Sequence, residues 1–164
     1  MKRILVVSDT HIPEKATKLP EQFLKQIQKE DIILHAGDLT KVEVLEQLQK
    51  LAKVYAVWGN MDDGKVKKVL PETQSLEIEG KKIGIYHGSG APYKLEEKAY
   101  QKFEEGYDVI VFGHSHTPFN HKIKNTLMFN PGSLSENVNT GNPSYGILKI
   151  DQGGIWGEIV EIKS

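Results

Sequence analysis

Two rhythms of apolar positions alternate along the first sixty residues. Residues 3–8 (RILVVS) form a continuous apolar run rich in β-branched side chains, which suits a strand buried on both faces. Residues 20–28 then place Phe23, Leu24 and Ile27 on one stripe, and Pro20 fits the first turn of a helix. Residues 31–35 (DIILH) predict a second buried strand. Thr40 and Glu43 have the spacing of a capping box, ahead of a helix with Val44, Leu45, Leu48 and Leu51 on one face. Residues 53–58 (KVYAVW) predict a third strand. The order β-α-β-α-β implies parallel strands joined by right-handed crossovers.

The rhythm then changes. Short strands at 75–79 and 82–87 flank Gly80, the pattern of a hairpin. A helix follows with Leu95, Ala99 and Phe103 in line, then a buried strand at 107–112 (YDVIVF). Short strands at 127–130, 145–150 and 155–162 complete the chain, with a turn at Gln152-Gly153-Gly154. A parallel half followed by a meandering half predicts an α/β fold, a two-sheet α/β sandwich with its sheets flanked by helices. The absence of repeats, low-complexity tracts and linkers predicts one domain over residues 1–164.

Composition narrows the chemistry. A chain of 164 residues has the mass for one well-filled core. Charged residues make up 26% and nearly cancel to a formal net charge of −1, so no overall basic excess points to nucleic acid. Cysteine is absent, which excludes disulfides and thiolate metal sites. Any metal must be held by His, Asp, Glu, Asn or backbone oxygen. The first apolar run, Ile4 to Val7, is too short for a signal peptide or a membrane span. The expectation is a cytoplasmic protein without membrane contact.

Polar clusters sit at the ends of five predicted strands. They are Asp9-Thr10-His11, Gly37-Asp38, Gly59-Asn60-Met61-Asp62, His87-Gly88 and Gly113-His114-Ser115-His116. Carboxyl ends of strands are where open α/β sheets bind ligands, so the five clusters predict one cleft. Asp9 and His11 are two apart, as are His114 and His116; in extended backbone each pair would share a side. Taken singly, an Asp or Asn after a strand is a turn former and a lone His is a satisfied polar group. Five such clusters in order outweigh those readings together. Carboxylate, imidazole and one amide oxygen suit zinc, manganese, iron or nickel better than calcium. Seven donors exceed the needs of one ion and fit two ions about 3.5–4 Å apart. His35, which ends a buried strand three residues before Asp38, reads as a supporting residue, and His121 as an exposed loop residue.

The ordered set D-x-H (Asp9, His11), G-D (Gly37, Asp38), G-N-x-D (Gly59 to Asp62), H-G (His87, Gly88) and G-H-x-H (Gly113 to His116) resembles the calcineurin-like metallophosphoesterase superfamily. The short chain and the segment Asn130-Pro131-Gly132-Ser133 resemble its small YfcE-like phosphodiesterase subgroup. The resemblance implies two divalent metal ions per chain, manganese foremost, with nickel, zinc, iron(II) or magnesium as alternatives. Asp9, His11 and His116 would hold one ion, Asn60, His87 and His114 the other, and Asp38 would bridge. It implies a phosphodiesterase in which a metal-bridging hydroxide attacks phosphorus in line, with Asp38, Asn60, His87 and His114 around the reacting group. A small phosphoester would be the substrate, phosphate or sulfate would bind the metal face, and the chain would form a homo-oligomer. The alternatives are a phosphomonoesterase or nucleotidase, and a non-catalytic scaffold of the same fold such as the retromer subunit. One position departs from the wider family: where many members carry His after the Asn, this chain has Met61. Pocket walls would come from loops such as 89–93 and 134–143, and neither carries a readable substrate code.

Overall fold

The computed structural model describes residues 2–12, 18–135 and 141–163. The chain runs β1 (Lys2–Val7), α1 (Glu21–Lys25), β2 (Ile32–His35), α2 (Val42–Gln49), β3 (Lys53–Ala56), α3 (Gly64–Val69) and β4 (Thr73–Ile78). It continues β5 (Lys81–Tyr86), α4 (Leu95–Lys102), β6 (Val109–Phe112), β7 (Phe119–Ile123), β8 (Thr126–Asn130), β9 (Ser144–Asp151) and β10 (Gly154–Glu161). Two five-stranded sheets result, ordered β10-β9-β1-β2-β3 and β4-β5-β6-β8-β7. In the first, β1, β2 and β3 are parallel and the β9–β10 hairpin adds antiparallel to β1. In the second, β5, β6 and β8 are parallel, with β4 and β7 antiparallel at the edges.

Strand alternation explains the layering. Ile4 and Val6 of β1 face the second sheet and pack in one core with Leu34, Ile83, Ile85, Val109, Val111 and Phe129. Leu5 and Val7 face the other way, against Phe23 of α1 and Val44, Leu45 and Leu48 of α2. A third cluster joins Leu95 and Ala99 of α4 to Ile110, Phe112 and Met128 on the outer face of the second sheet. Helices therefore cover both outer faces, as an apolar run on both sides of a strand requires.

Several local expectations are corrected. The capping box is absent: α2 begins after Lys41, no side chain caps it, and the Thr40 hydroxyl is buried without a partner. The Thr40 N–H is instead taken by Asp62 Oδ1 at 2.6 Å, which pulls that residue out of the helix start. Leu51 lies beyond the end of α2 and is exposed. His121 sits on β7, not in a loop, although it is exposed as expected. Among the described residues, no helix is long and apolar enough to cross a membrane.

Candidate metal centre

All seven candidate donors follow directly on strands whose carboxyl ends lie together. Asp9 and His11 follow β1, Asp38 follows β2, Asn60 follows β3, His87 follows β5, and His114 and His116 follow β6. The first four come from one sheet and the last three from the other, so the cluster lies across the seam of the sandwich.

The donors form one connected group. Asp9 Oδ1 lies 3.3 Å from His116 Nε2, 3.5 Å from His11 Nε2 and 3.8 Å from His87 Nε2. Asp38 Oδ2 lies 3.1 Å from His87 Nε2 and 3.7 Å from His11 Nε2. Asn60 Oδ1 is 3.1 Å from His87 Nε2 and 3.2 Å from His114 Nδ1. Two sets, Asp9-His11-His116 and Asp9-Asp38-His87, have donor atoms mutually within 4.8 Å, the clustering that could hold a metal ion.

The donors do not converge by strand alternation, as the spacing predicted. Asp9, His11, Asp38, His114 and His116 all adopt left-handed backbone, with φ of 54°, 47°, 59°, 74° and 58°. Such conformations cost energy in residues other than glycine and persist only where the surroundings impose them. Here Asp9 N–H donates to Gly37 O at 2.9 Å and His11 N–H to Asp38 O at 3.1 Å. Glycines allow the loops to touch. A Cβ at Gly113 would strike Ser8 Oγ and Asp9 Oδ2, and one at Gly59 would strike the Asp38 carboxylate.

Hydrogen bonds fix which ring atoms face the cluster. The His87 Nδ1–H donates to Ala36 O at 2.7 Å, leaving Nε2 to face the carboxylates. The His114 Nε2–H donates to Gly90 O at 2.7 Å, leaving Nδ1 beside Asn60. A ligating histidine is normally oriented in this way by its other nitrogen. Asp9 Oδ2 accepts from Ser8 Oγ at 2.6 Å and from His114 N–H at 3.1 Å. Its other oxygen, Oδ1, is buried with no hydrogen-bond partner and is the atom ringed by three imidazole nitrogens.

The electrostatics call for a cation. Burial pushes the Asp9 carboxyl up, but the imidazoles of His87, His11 and His116 hold it well below the usual carboxylate range. Burial pushes His87 down, but Asp9 and Asp38 hold its imidazolium up to about 9. Two buried carboxylates thus draw positive charge into the cluster. An orphaned carboxylate oxygen, paired His11 and His116 nitrogens 3.1 Å apart and a mixed O/N donor set all fit a divalent metal.

Three further residues organise the cluster. His35 is fully buried, accepts the Gly37 N–H on Nδ1 at 3.1 Å and places Nε2 3.3 Å from Thr10 Oγ1, between Asp9 and His11. Burial pushes its pKa down to about 3, so the ring is neutral. This is the supporting role its position implied. Asp62, two residues after Asn60, accepts the backbone N–H groups of Asp38, Thr40 and Gly59 at 3.0, 2.6 and 2.7 Å. Burial pushes its pKa up against those donors. Ser8 was concealed at the end of an apolar run, and only its contact with Asp9 reveals it. Residues 136–140 of the 134–143 loop lie outside the described residues. A wide depression of about 530 Å³, lined by Glu79, Asp151, Gln152, Gly153 and Trp156, lies between the β4–β5 and β9–β10 turns. It is at the far ends of the strands and offers no comparable donor set, so chemistry and not size selects the site.

Comparison with known proteins identifies the family. A family model described as the calcineurin-like phosphoesterase superfamily domain matches residues 1–153. A probable metallophosphoesterase of Methanothermobacter thermautotrophicus is 37% identical over 156 residues, covering 94% of this chain and 90% of its own. A phosphodiesterase of Methanocaldococcus jannaschii is 27% identical, covering 92% and 94%. The crystal structure of wild-type Vps29 from Entamoeba histolytica complexed with zinc matches with a TM-score of 0.75 at 26% identity, covering 97% and 98%. The chain belongs to the calcineurin-like phosphoesterase superfamily.

Proposed function

We propose that the protein is a phosphodiesterase that works with two divalent metal ions. The observation that carries this reading is the bare, buried Asp9 Oδ1 facing the Nε2 atoms of His11, His87 and His116. Asp9, His11 and His116 would hold one ion and Asn60, His87 and His114 the other. Asp38 would be shared, consistent with its Oδ2 lying within 3.7 Å of both His11 and His87. Bound ions supply Lewis acidity, which activates water and neutralises phosphoryl charge. The chain's own residues orient this chemistry. Gly90 O and Ala36 O fix the ring tautomers, and Asp62 holds the loops after β2 and β3 at a set separation. The phosphodiesterase name of the Methanocaldococcus relative favours a diester over a monoester.

A scaffold reading has the Vps29 neighbour in its favour. Against it stands the donor set, which is complete at all seven positions. Assay of bis(p-nitrophenyl) phosphate and p-nitrophenyl phosphate with manganese, against a chelator control, decides between the readings. Manganese-dependent turnover, faster on the diester, is expected, with two manganese ions per chain by elemental analysis. Asp38→Asn should weaken both sites and reduce turnover at least about 100-fold, the scale on which metal catalysis and its charge matter. No turnover of either ester, with any divalent metal, would leave the scaffold reading standing.

A further inference from the structure

The segment Asn130-Pro131-Gly132-Ser133 contributes no donor to the candidate centre, yet it spends buried polar groups beside it. Asn130 and Ser133 are both fully buried. Burying a carboxamide and a hydroxyl is costly unless each is satisfied. The partners they find extend well beyond their own turn. Asn130 Nδ2 donates to Gly113 O at 3.2 Å and to Ser115 Oγ at 3.0 Å, 17 and 15 residues away in sequence. Those two atoms flank His114, and Ser115 stands between His114 and His116. Ser133 Oγ donates to Asp9 O at 2.8 Å, 124 residues away, and Ser135 Oγ reaches the same oxygen at 3.2 Å. The Leu134 N–H donates to Ser8 O at 3.0 Å. The turn itself is closed by Gly132 N–H on Asn130 Oδ1 at 2.9 Å and by Ser144 Oγ on Pro131 O at 2.5 Å.

We infer that Asn130 and Ser133 are positioning residues of the metal centre. Their corner at the end of β8 clamps the Asp9–His11 loop to the Gly113–His116 loop. This inference rests on the metal reading proposed above. Both loops are in left-handed backbone at their donor residues, so neither holds its shape by strand pairing alone. The clamp fixes the Asp9 peptide from outside the cluster while Ser8 and the His114 N–H hold its carboxylate from within. Fixing the Gly113 carbonyl and the Ser115 hydroxyl likewise sets the two histidines between and beyond them. Release of either contact lets Asp9 and His116, which must face one ion together, drift apart.

The test separates positioning from plain stability. Asn130→Asp keeps the side-chain shape and removes both donors. Ser133→Ala removes one of the two hydroxyls on Asp9 O, and the double variant Ser133→Ala with Ser135→Ala removes both. Thr126→Val is the control: it deletes a buried hydroxyl bond to Tyr107 O, 2.8 Å long, at the other end of β8. Each purified protein is titrated with manganese by calorimetry and melted in chelator. Asn130→Asp and the double variant should bind manganese about 10- to 100-fold more weakly, the effect of removing groups that orient metal ligands. Thr126→Val should lower the melting temperature and keep wild-type affinity. Wild-type affinity in Asn130→Asp and in the Ser133/Ser135 double variant overturns the inference; if the former fails to fold, the double variant decides alone. A wild-type protein that binds no manganese sinks the metal reading itself, and the inference with it.

Discussion

Met61 directly follows Asn60, and its thioether can neither donate a proton nor carry charge. Its side chain is 54% exposed while its N–H donates to Asp38 Oδ1 at 2.8 Å. The neighbouring carboxyl offers no substitute, because both Asp62 oxygens are taken by backbone N–H groups. Under the proposed function, neither Met61 nor Asp62 then serves as the acid for the leaving oxygen. A positioned acid contributes about 10²–10⁴-fold to such a step. Turnover should depend steeply on the leaving group, fast for aryl esters and slow for alkyl ones. Met61→His should flatten that dependence and raise kcat/KM on alkyl esters by about 10²-fold or more. The measurement is log kcat/KM against leaving-group pKa for both proteins. Equal, shallow slopes would mean that a water already supplies the proton. The identity of Met61 was legible in the sequence, whereas the engagement of Asp62 was not. An Asp two residues after Asn60 reads equally as an acid, a ligand or a turn former until its partners are seen.

Arg3 ties the start of β1 to the connection between α1 and β2. Its Nη2 reaches Asp31 Oδ2 at 2.5 Å and Gln26 O at 2.7 Å, and Nε reaches Asp31 Oδ1 at 3.1 Å. Burial pushes the Asp31 carboxyl up, but the Arg3 guanidinium and the Gln28 N–H more than offset it, and its pKa falls below the usual value. A depressed folded pKa stabilises the fold fully above the unfolded value, about 3.9, and that contribution is lost as pH falls through the folded value. Asp31→Asn should thus melt below wild type at pH 7, and the gap should close below about pH 4. Thermal melts of both proteins from pH 7 to pH 3 measure it, and a constant gap would remove the ion pair as the cause. The strands flanking this anchor were the easiest elements to read, because burial on both faces leaves an unbroken apolar run. α3 and β7 leave no such run, for the opposite reason. α3, GKVKKV, buries only Val66, and β7, FNHKI, is a half-exposed edge strand. Neither needs enough apolar surface to leave a period. The left-handed backbone at Asp9, His11, His114 and His116 was invisible too, since nothing in a non-glycine residue announces a positive φ that its neighbours impose.

The two sheets meet at the candidate centre, with Asp9, His11, Asp38 and Asn60 on one side and His87, His114 and His116 on the other. This placement was partly legible, since ordered clusters at five strand ends predicted convergence. It was not legible that the strands supplying them divide three and two between the sheets, because sheet membership depends on pairing and not on local sequence. The division has a thermodynamic consequence. The seam holds two buried carboxylates, one with an orphaned oxygen, and the His11 and His116 Nε2 atoms 3.1 Å apart. Under the proposed function, an ion bound there would join donors from both sheets and act on folding as a staple. Ligand binding to the folded state alone adds about 2.7 kcal/mol per site at 100-fold excess over Kd. For a chain of this size that corresponds to a rise of about 5–10 °C in Tm. Manganese should therefore raise Tm with the logarithm of its concentration, and chelator should return it to the metal-free value. Asp38→Asn should behave differently in two ways. It removes a carboxylate that pairs with the buried His87 at 3.1 Å, so its metal-free protein should melt below wild type. Its manganese response should be smaller, because the shared oxygen donor has lost its charge. Differential scanning calorimetry of both proteins across a manganese series gives the two curves. A wild-type Tm that stays flat at concentrations where calorimetric titration shows saturation would mean that the sheets close equally well without the ion.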